Sequence, residues 1–249
     1  MFKPGFIAAI AGLLLAFQAH AQEIDEKQDF IEANILAIFY HELGHAVIDI
    51  MQVPIFGQEE DAADVLSVLM IDWLYDEDIA QTIAANSAFG FINDPDREQE
   101  VAYWDLHGPD EQRFFNHVCL FYGANPDERE ELASDLGLPD YRAETCPDEY
   151  DQAADSWGAI LDEVDGQKNS VTMVFTPGGT GDDAQFANEL LASEVEQMNS
   201  DLRLPKEVLV TVEACGEANA FYDPEAVSII FCSEFVEHLG ELYEEYWRE

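Results

Sequence analysis

The stretch HELGHAVIDIMQVPIFGQEEDAAD, residues 41–64, decides the fold of this chain. Up to Pro54 the apolar residues recur every three or four positions, which predicts an amphipathic helix from Asp29 to about Met51. Beyond Gly57 the same periodicity returns and predicts a second helix from about Glu59 to Tyr75. Because the connecting loop is short, we expect the two helices to lie roughly antiparallel.

Two histidines lie four residues apart on the first helix. This spacing puts His41 and His45 about 40° apart on one face, so their ring nitrogens can reach one ion. Glu42 is rotated away from the pair, and its carboxylate can approach a metal-bound water without ligating the metal. A zinc ion with three protein ligands keeps a fourth position for water and lowers the pKa of that water to about 7. The motif H-E-x-x-H therefore predicts a zinc site with Glu42 as general base.

The second helix offers the third ligand. Glu60 and Asp64 are four residues apart on one face, and the hairpin brings this face against the histidines. We expect Glu60 to ligate the metal and Asp64 to accept the second N–H of a ligand imidazole. Glu59 and then Asp61 remain alternatives to Glu60, from which they point roughly 100° to either side. An accidental H-E-x-x-H on a helix is the alternative to the whole site.

The rest of the chain changes from helical to strand-like composition. Helical patterns continue from Ile79 to Asp165, and another helix is expected between Asp183 and Leu202 and one at the C-terminus. Three strands are predicted: SVTMVF (170–175), EVLVTVEAC (207–215) and AVSIIFCSEF (226–235). Helices first and a small sheet last predict a mostly helical α+β fold. Residues 22–165 would carry the metal site, and residues 166–249 would complete the same domain.

The N-terminus has the pattern of a secretory signal peptide, residues 1–21. Lys3 precedes an apolar run from Phe6 to Phe17, and an A-x-A cleavage site, Ala19-His20-Ala21, follows this run. The apolar run is too short to span a bilayer. We therefore expect a protein without a membrane span that is exported to the periplasm or the extracellular space.

Four cysteines follow, Cys119, Cys146, Cys215 and Cys232. An even number in an oxidising compartment predicts two disulfides. Three connectivities are possible, and we favour the sequence-local one, which pairs Cys119 with Cys146 and Cys215 with Cys232. A four-cysteine zinc cluster is the alternative, although no C-x-x-C spacing supports it.

The charge balance is extreme, with 53 acidic against 10 basic residues and a net charge of -43. Self-repulsion at this density favours a monomer, and it argues against nucleic acid or an anionic membrane as partner. The acidic stretches do not follow the EF-hand pattern, so no calcium site is predicted.

The metal motif resembles the zincin metallopeptidases of the gluzincin type, in which H-E-x-x-H is followed on a second helix by a ligand Glu and a supporting Asp four residues later. HELGHAVID, GQEEDAAD, HGPDEQR, CLFYG and CPDEYDQAADSW together resemble an uncharacterised family of exported proteins assigned as metallopeptidases from their motif. This resemblance covers most of residues 30–165, and it implies a zincin-like domain and peptide hydrolysis. The last of these segments repeats A-A-D without a histidine pair, and we interpret it as the acidic face of a helix packed through Trp157.

A second resemblance lies in CGEANAFYDPEAVSIIFCSEF, residues 215–235. Asn219-Ala220-Phe221 is similar to the N-A-F stretch that precedes the metal helix in several gluzincins, where an edge strand lines the substrate cleft. Here it follows the metal helix, as though the chain were circularly permuted, with the new termini between the helices that end near Tyr246 and begin near Phe30. The resemblance implies a strand that holds an extended peptide by main-chain hydrogen bonds. Ordinary core strands are the alternative.

Zinc-dependent hydrolysis also needs a hydrogen-bond donor for the oxyanion that forms on the substrate. Tyr222 and His107 are the candidates, although a tyrosine in a turn and a histidine before a Gly-Pro pair also have structural explanations. We expect His117 to be a core or boundary residue and His238 to lie on a helix surface.

Together these features predict an exported zinc metallopeptidase that acts on a peptide or protein. A metal-bound water would attack the peptide carbonyl, and Glu42 would take its proton and pass it to the leaving amine. Two other functions remain open. One is a catalytically inactive zincin-like binding module, and the other is an acidic periplasmic metal-binding protein.

Overall fold

The computed structural model describes residues 6–92, 101–165 and 172–247, with side chains described from Glu26 onward. Nine helices and four strands are described: α1 (Phe6–Met51), α2 (Glu59–Leu74), α3 (Glu77–Phe89), α4 (Asp110–Ala124), α5 (Pro126–Asp135), α6 (Asp140–Ala143), α7 (Cys146–Asp165), β1 (Val174–Thr176), α8 (Asp182–Asp201), β2 (Leu209–Glu213), β3 (Ala220–Asp223), β4 (Ser228–Cys232) and α9 (Glu234–Tyr246). The mostly helical α+β fold, with a small sheet in the C-terminal part, is confirmed. The first five residues of the predicted signal peptide and the side chains of the others lie outside the described part, so its removal stays a prediction.

Helix α1 is the centre of the fold. It begins well before the predicted start at Asp29 and ends at Met51, as expected, where Gln52 takes a positive φ of 54°. Its apolar face is buried from Phe30 to Ile50, and α1 packs against α2, α3, α9 and β3. Within the described residues no helix is both long enough and apolar enough to span a membrane.

Helices α1 and α2 approach each other very closely at one glycine. A Cβ atom added to Gly44, inside the H-E-x-x-H motif, would lie 2.9 Å from the Cα atom of Ala63. No larger side chain fits at position 44 unless the helices separate. This contact sets how near the carboxylates of α2 come to the histidines of α1.

The four strands form one sheet in the order β1-β2-β4-β3. The first three are parallel, and β3 is antiparallel to β4, with Ala220 opposite Phe231 and Tyr222 opposite Ile229. The three predicted strands correspond to β1, β2 and β4, each of which is shorter than predicted. Ala220 and Phe221 of the N-A-F stretch begin the additional strand, β3. Residues 170 and 171 of the first predicted strand lie outside the described residues. Strand β3 is an edge strand that packs against α1.

Two disulfides hold this arrangement, in the predicted pairing. Cys119–Cys146 joins α4 to the start of α7, and Cys215–Cys232 joins the segment that leads into β3 to the end of β4. All four cysteines are therefore paired, and the alternative of a four-cysteine zinc cluster is wrong. The second disulfide anchors the segment that leads into the edge strand.

The C-terminal end of the described chain lies beside the metal helix. The ring of Phe30 on α1 lies 5.7 Å from that of Tyr243 on α9 and 5.6 Å from that of Trp247. The C-terminal helix thus ends beside the start of the described part of α1. Descent from a permuted zincin stays a prediction.

Candidate metal centre

The two histidines of α1 converge as their spacing predicts. The Nε2 atoms of His41 and His45 lie 3.1 Å apart, and their ring centroids are 4.8 Å apart. The two side chains are only 12% and 13% exposed. Two ring nitrogens are therefore held side by side at the base of a cleft.

Glu60 of α2 reaches the same point. Its Oε2 atom lies 3.2 Å from the Nε2 atom of His41 and 3.2 Å from that of His45. One ligand atom from each of the three residues lies within 4.8 Å of the others, which makes this a group able to hold a metal ion. Two imidazoles and one carboxylate are a ligand set that zinc accepts in catalytic sites, where a further coordination position stays open. The residues therefore fit the predicted metal.

Each histidine is oriented from behind by a carboxylate. The Nδ1 atom of His41 lies 2.7 Å from an oxygen of Asp64, and that of His45 lies 2.9 Å from an oxygen of Glu59. Such contacts fix the tautomer and leave Nε2 for the ion. Glu59 therefore lies on the outer side of His45, whereas Glu60 lies between the two rings. Asp61 makes neither contact.

Arg113 of α4 is part of this arrangement. It ends the segment HGPDEQR, but no role was predicted for it from the sequence. Its Nε and Nη2 atoms each donate to Asp64 at 2.8 Å. Burial tends to raise the pKa of Asp64, but the hydrogen bonds from Arg113 and His41 outweigh it and hold that pKa well below its usual range. Asp64 is thus kept ionised and fixed in orientation.

The electrostatics of the centre favour a bound cation. Burial tends to lower the pKa of His41, but the hydrogen bonds to Asp64 and Glu60 raise it to about 9. Hydrogen bonds from His107, His41 and His45 hold the pKa of Glu60 well below its usual range. The carboxylates of Glu60 and Asp64 therefore stay charged. They stabilise a positive charge at the centre, either on protonated imidazoles or on a metal ion that replaces the protons.

Glu42 is buried beside this group, with 6% of its surface exposed. It lines the same cleft as the histidines, and its carboxylate accepts a hydrogen bond from the backbone N–H of Tyr222 in β3. Burial raises the pKa of Glu42, although the charges of the two histidines oppose this. A carboxyl group with a raised pKa beside a metal position is suited to exchange protons.

The two candidates for the oxyanion donor differ in position. The Nε2 atom of His107 lies 3.0 Å from Oε2 of Glu60, and the side chain is 44% exposed, so His107 reaches the centre. Tyr222 lies in β3, so the expectation that it lies in a turn was wrong. Strand β3 has only four residues, and the alternation of its side chains is too short to identify a strand from the sequence. Its hydroxyl donates to Oδ2 of Asp49 at 2.9 Å, and burial, together with Asp49, raises its pKa.

The centre lies in a cleft of about 1200 Å³. Helices α1 and α2 line it together with β3, and α9 contributes Phe235, His238 and Leu239. His238 was expected on a helix surface, but it is partly buried and lines the cleft. His117 is buried against Ser87, as predicted for a core histidine.

The acidic segment of α7 packs through Trp157. Trp157 is buried, Asp151 and Asp155 are exposed, and within the described residues the only group of potential ligands close enough to hold a metal is the one on α1 and α2. This agrees with the interpretation of the segment as an acidic helix face.

Comparison with known proteins gave one family. The model of the family described as "Putative metallopeptidase" (DUF4344) matches residues 8–161 and 182–249, which is most of the chain. Neither the curated proteins nor the solved structures include a match.

Proposed function

The chain belongs to this metallopeptidase family, and from that premise we propose that it is an exported zinc-dependent peptidase that hydrolyses peptide bonds in the cleft. The observation that carries the proposal is the meeting of His41, His45 and Glu60 at one point, with a buried glutamate beside it. The two disulfides support export to an oxidising compartment.

In this proposal His41, His45 and Glu60 would hold the metal. Zinc, when bound, supplies a Lewis acid that acidifies water and polarises a carbonyl. Asp64, held by Arg113, would keep the ring of His41 in the tautomer that leaves Nε2 free of a proton. Glu59 would do the same for His45 from a more exposed position.

Glu42 would be the general base. The N–H of Tyr222 contacts its carboxylate at the cleft wall, and Glu42 lies beside the three metal-binding candidates without being one of them. It would remove the proton from the attacking water and deliver it to the amine that leaves. His107 is the better placed donor for the oxyanion, because it lies against Glu60 at the metal position, whereas the hydroxyl of Tyr222 is directed to Asp49.

Strand β3 would position the substrate. The carbonyl of Asn219 accepts the N–H of Cys232 in β4, and main-chain groups in an antiparallel pair alternate in direction. The carbonyls of Ala220 and Tyr222 therefore face away from β4, on the side where the N–H of Tyr222 reaches Glu42. An extended peptide added at this edge would run past the base and the metal position.

Removal and return of the metal test this function. We expect the purified protein to cleave members of a broad pool of unstructured peptides, to lose this activity after treatment with a strong chelator, and to regain it with about one equivalent of zinc. One tightly bound zinc without cleavage of any substrate in a broad peptide pool would instead favour the binding module. Many weak sites in place of one tight site would favour the metal-binding protein.

A further inference from the structure

The cleft contains a carboxylate that the proposed chemistry does not use. Asp49 lies on α1 one turn beyond His45 and therefore on the same face of the helix. Its side chain lines the cleft and is half-buried. Asp49 is not among the residues that meet at the metal position. A role other than metal binding is needed to explain a charged group at this place.

Asp49 and the base Glu42 lie on the same helix, and Tyr222 contacts both. Tyr222 donates its backbone N–H to Glu42 and its hydroxyl to Oδ2 of Asp49. Seven residues of helix place Asp49 about 10 Å from the base along the axis of α1, beside the strand where the substrate is expected to lie. A side chain near the scissile bond can reach Asp49.

Within the described residues, no cationic side chain neutralises this carboxylate. In the described part of the chain no lysine, arginine or histidine is within ion-pair distance of Asp49, and its side chain has only a neutral hydroxyl as partner. The described cleft lining contains one arginine or lysine, Arg113, whose Nε and Nη2 atoms are engaged by Asp64. A partly desolvated carboxylate without a cationic partner gains most from a cation that arrives with the ligand.

The charge of the whole chain acts in the same direction. With a net charge of -43, the protein attracts cationic peptides and repels acidic ones at long range. Asp49 would convert this general attraction into a preference at one position of the substrate.

We propose that Asp49 is a specificity residue that binds a lysine or arginine side chain of the substrate near the scissile bond. This inference rests on the proposed peptidase function and adds the class of substrate. The cationic side chain would pair with Asp49 while the backbone of the peptide follows β3.

A pair of matched peptides tests this proposal. Each quenched fluorescent peptide carries one arginine, and a series of such peptides places this arginine at successive positions on both sides of the cleaved bond. Each has a partner peptide with citrulline at the same position. Citrulline has the same length as arginine but no charge. At the best position we expect kcat/KM for the arginine peptide to exceed that for the citrulline peptide by about tenfold or more, as for a hydrogen-bonded charge pair. The ratio should fall as salt is added.

Substitutions at Asp49 separate its role from the general charge. We expect Asp49→Asn to bring the arginine to citrulline ratio to within about twofold of unity, and Asp49→Glu, which keeps the charge, to retain a preference for arginine. Asp155→Asn, the same chemical change at an exposed residue of α7, is expected to keep the wild-type ratio. Zinc content and a thermal melt verify that each variant is folded.

Binding measurements keep the result independent of turnover. Calorimetry on zinc-loaded Glu42→Gln protein gives the affinity for the same two peptides, and we expect a comparable preference that disappears in the Glu42→Gln, Asp49→Asn double variant. Equal affinities for the two peptides, or an arginine preference that survives Asp49→Asn, would overturn the inference. Failure of the peptidase function has a different signature, since the zinc-loaded wild type would then cleave neither peptide, whatever their affinities.

Discussion

Replacement of Glu42 by Gln is expected to abolish peptide hydrolysis while leaving the metal in place. Glutamine has nearly the shape of glutamate and can still accept the N–H of Tyr222, but it cannot take a proton from water. The loss of general base catalysis should lower kcat/KM by about 10²–10⁴-fold. Because Glu42 is buried, removal of its charge also relieves a desolvation cost, so the variant should be no less stable than wild type.

The measurement is kcat/KM on one quenched peptide together with zinc content for the same preparation. Glu130→Gln is the matched control, since Glu130 is an exposed residue of α5 and the chemical change is identical. Its activity should equal that of wild type. If Glu42→Gln retained hydrolysis within tenfold of wild type with its zinc bound, another group would have to be the base.

Replacement of Glu60 by Ala is expected to weaken zinc binding by more than 100-fold. Its Oε2 atom lies against the Nε2 atoms of both His41 and His45, so its removal takes away one of three ligands. Glu59 touches only the outer nitrogen of His45 and is half exposed, so Glu59→Ala should cost less than tenfold.

Asp64→Asn gives an intermediate point in this series. The three ligands remain, but the charge that orients His41 and pairs with Arg113 is lost, which should weaken zinc binding by about 10–100-fold. Zinc affinities measured by competition with a chromophoric chelator test the order. Equal effects of Glu59→Ala and Glu60→Ala would mean that the third ligand is misassigned.

The parts of the site that could be predicted from the sequence are those set by local periodicity. His41 and His45 share a helix face because of their spacing. Glu60 and Asp64 lie near them because the short loop makes α2 run back along α1. The disulfide pairing followed from the same locality, since each pair closes a short segment.

The remaining parts depend on contacts that no local pattern encodes. Arg113 lies 49 residues beyond Asp64, and its role follows from the packing of α4 against α2. The close approach at Gly44 depends on the small residue that α2 presents to it. Tyr222 acquires its contacts with Asp49 and Glu42 only when the four-residue strand β3 is placed beside α1, and so short a strand gives little periodic signal.

The central claim is that one zinc ion is held by the histidines of α1 and the glutamate of α2. Its most direct test is the metal content of the purified mature protein, wild type beside His45→Ala, by mass spectrometry after dialysis against a weak chelator. We expect about one zinc per chain in the wild type and none in the variant, since His45 supplies one of three ligands. No retained metal in the wild type, or equal zinc in both proteins, would contradict the account.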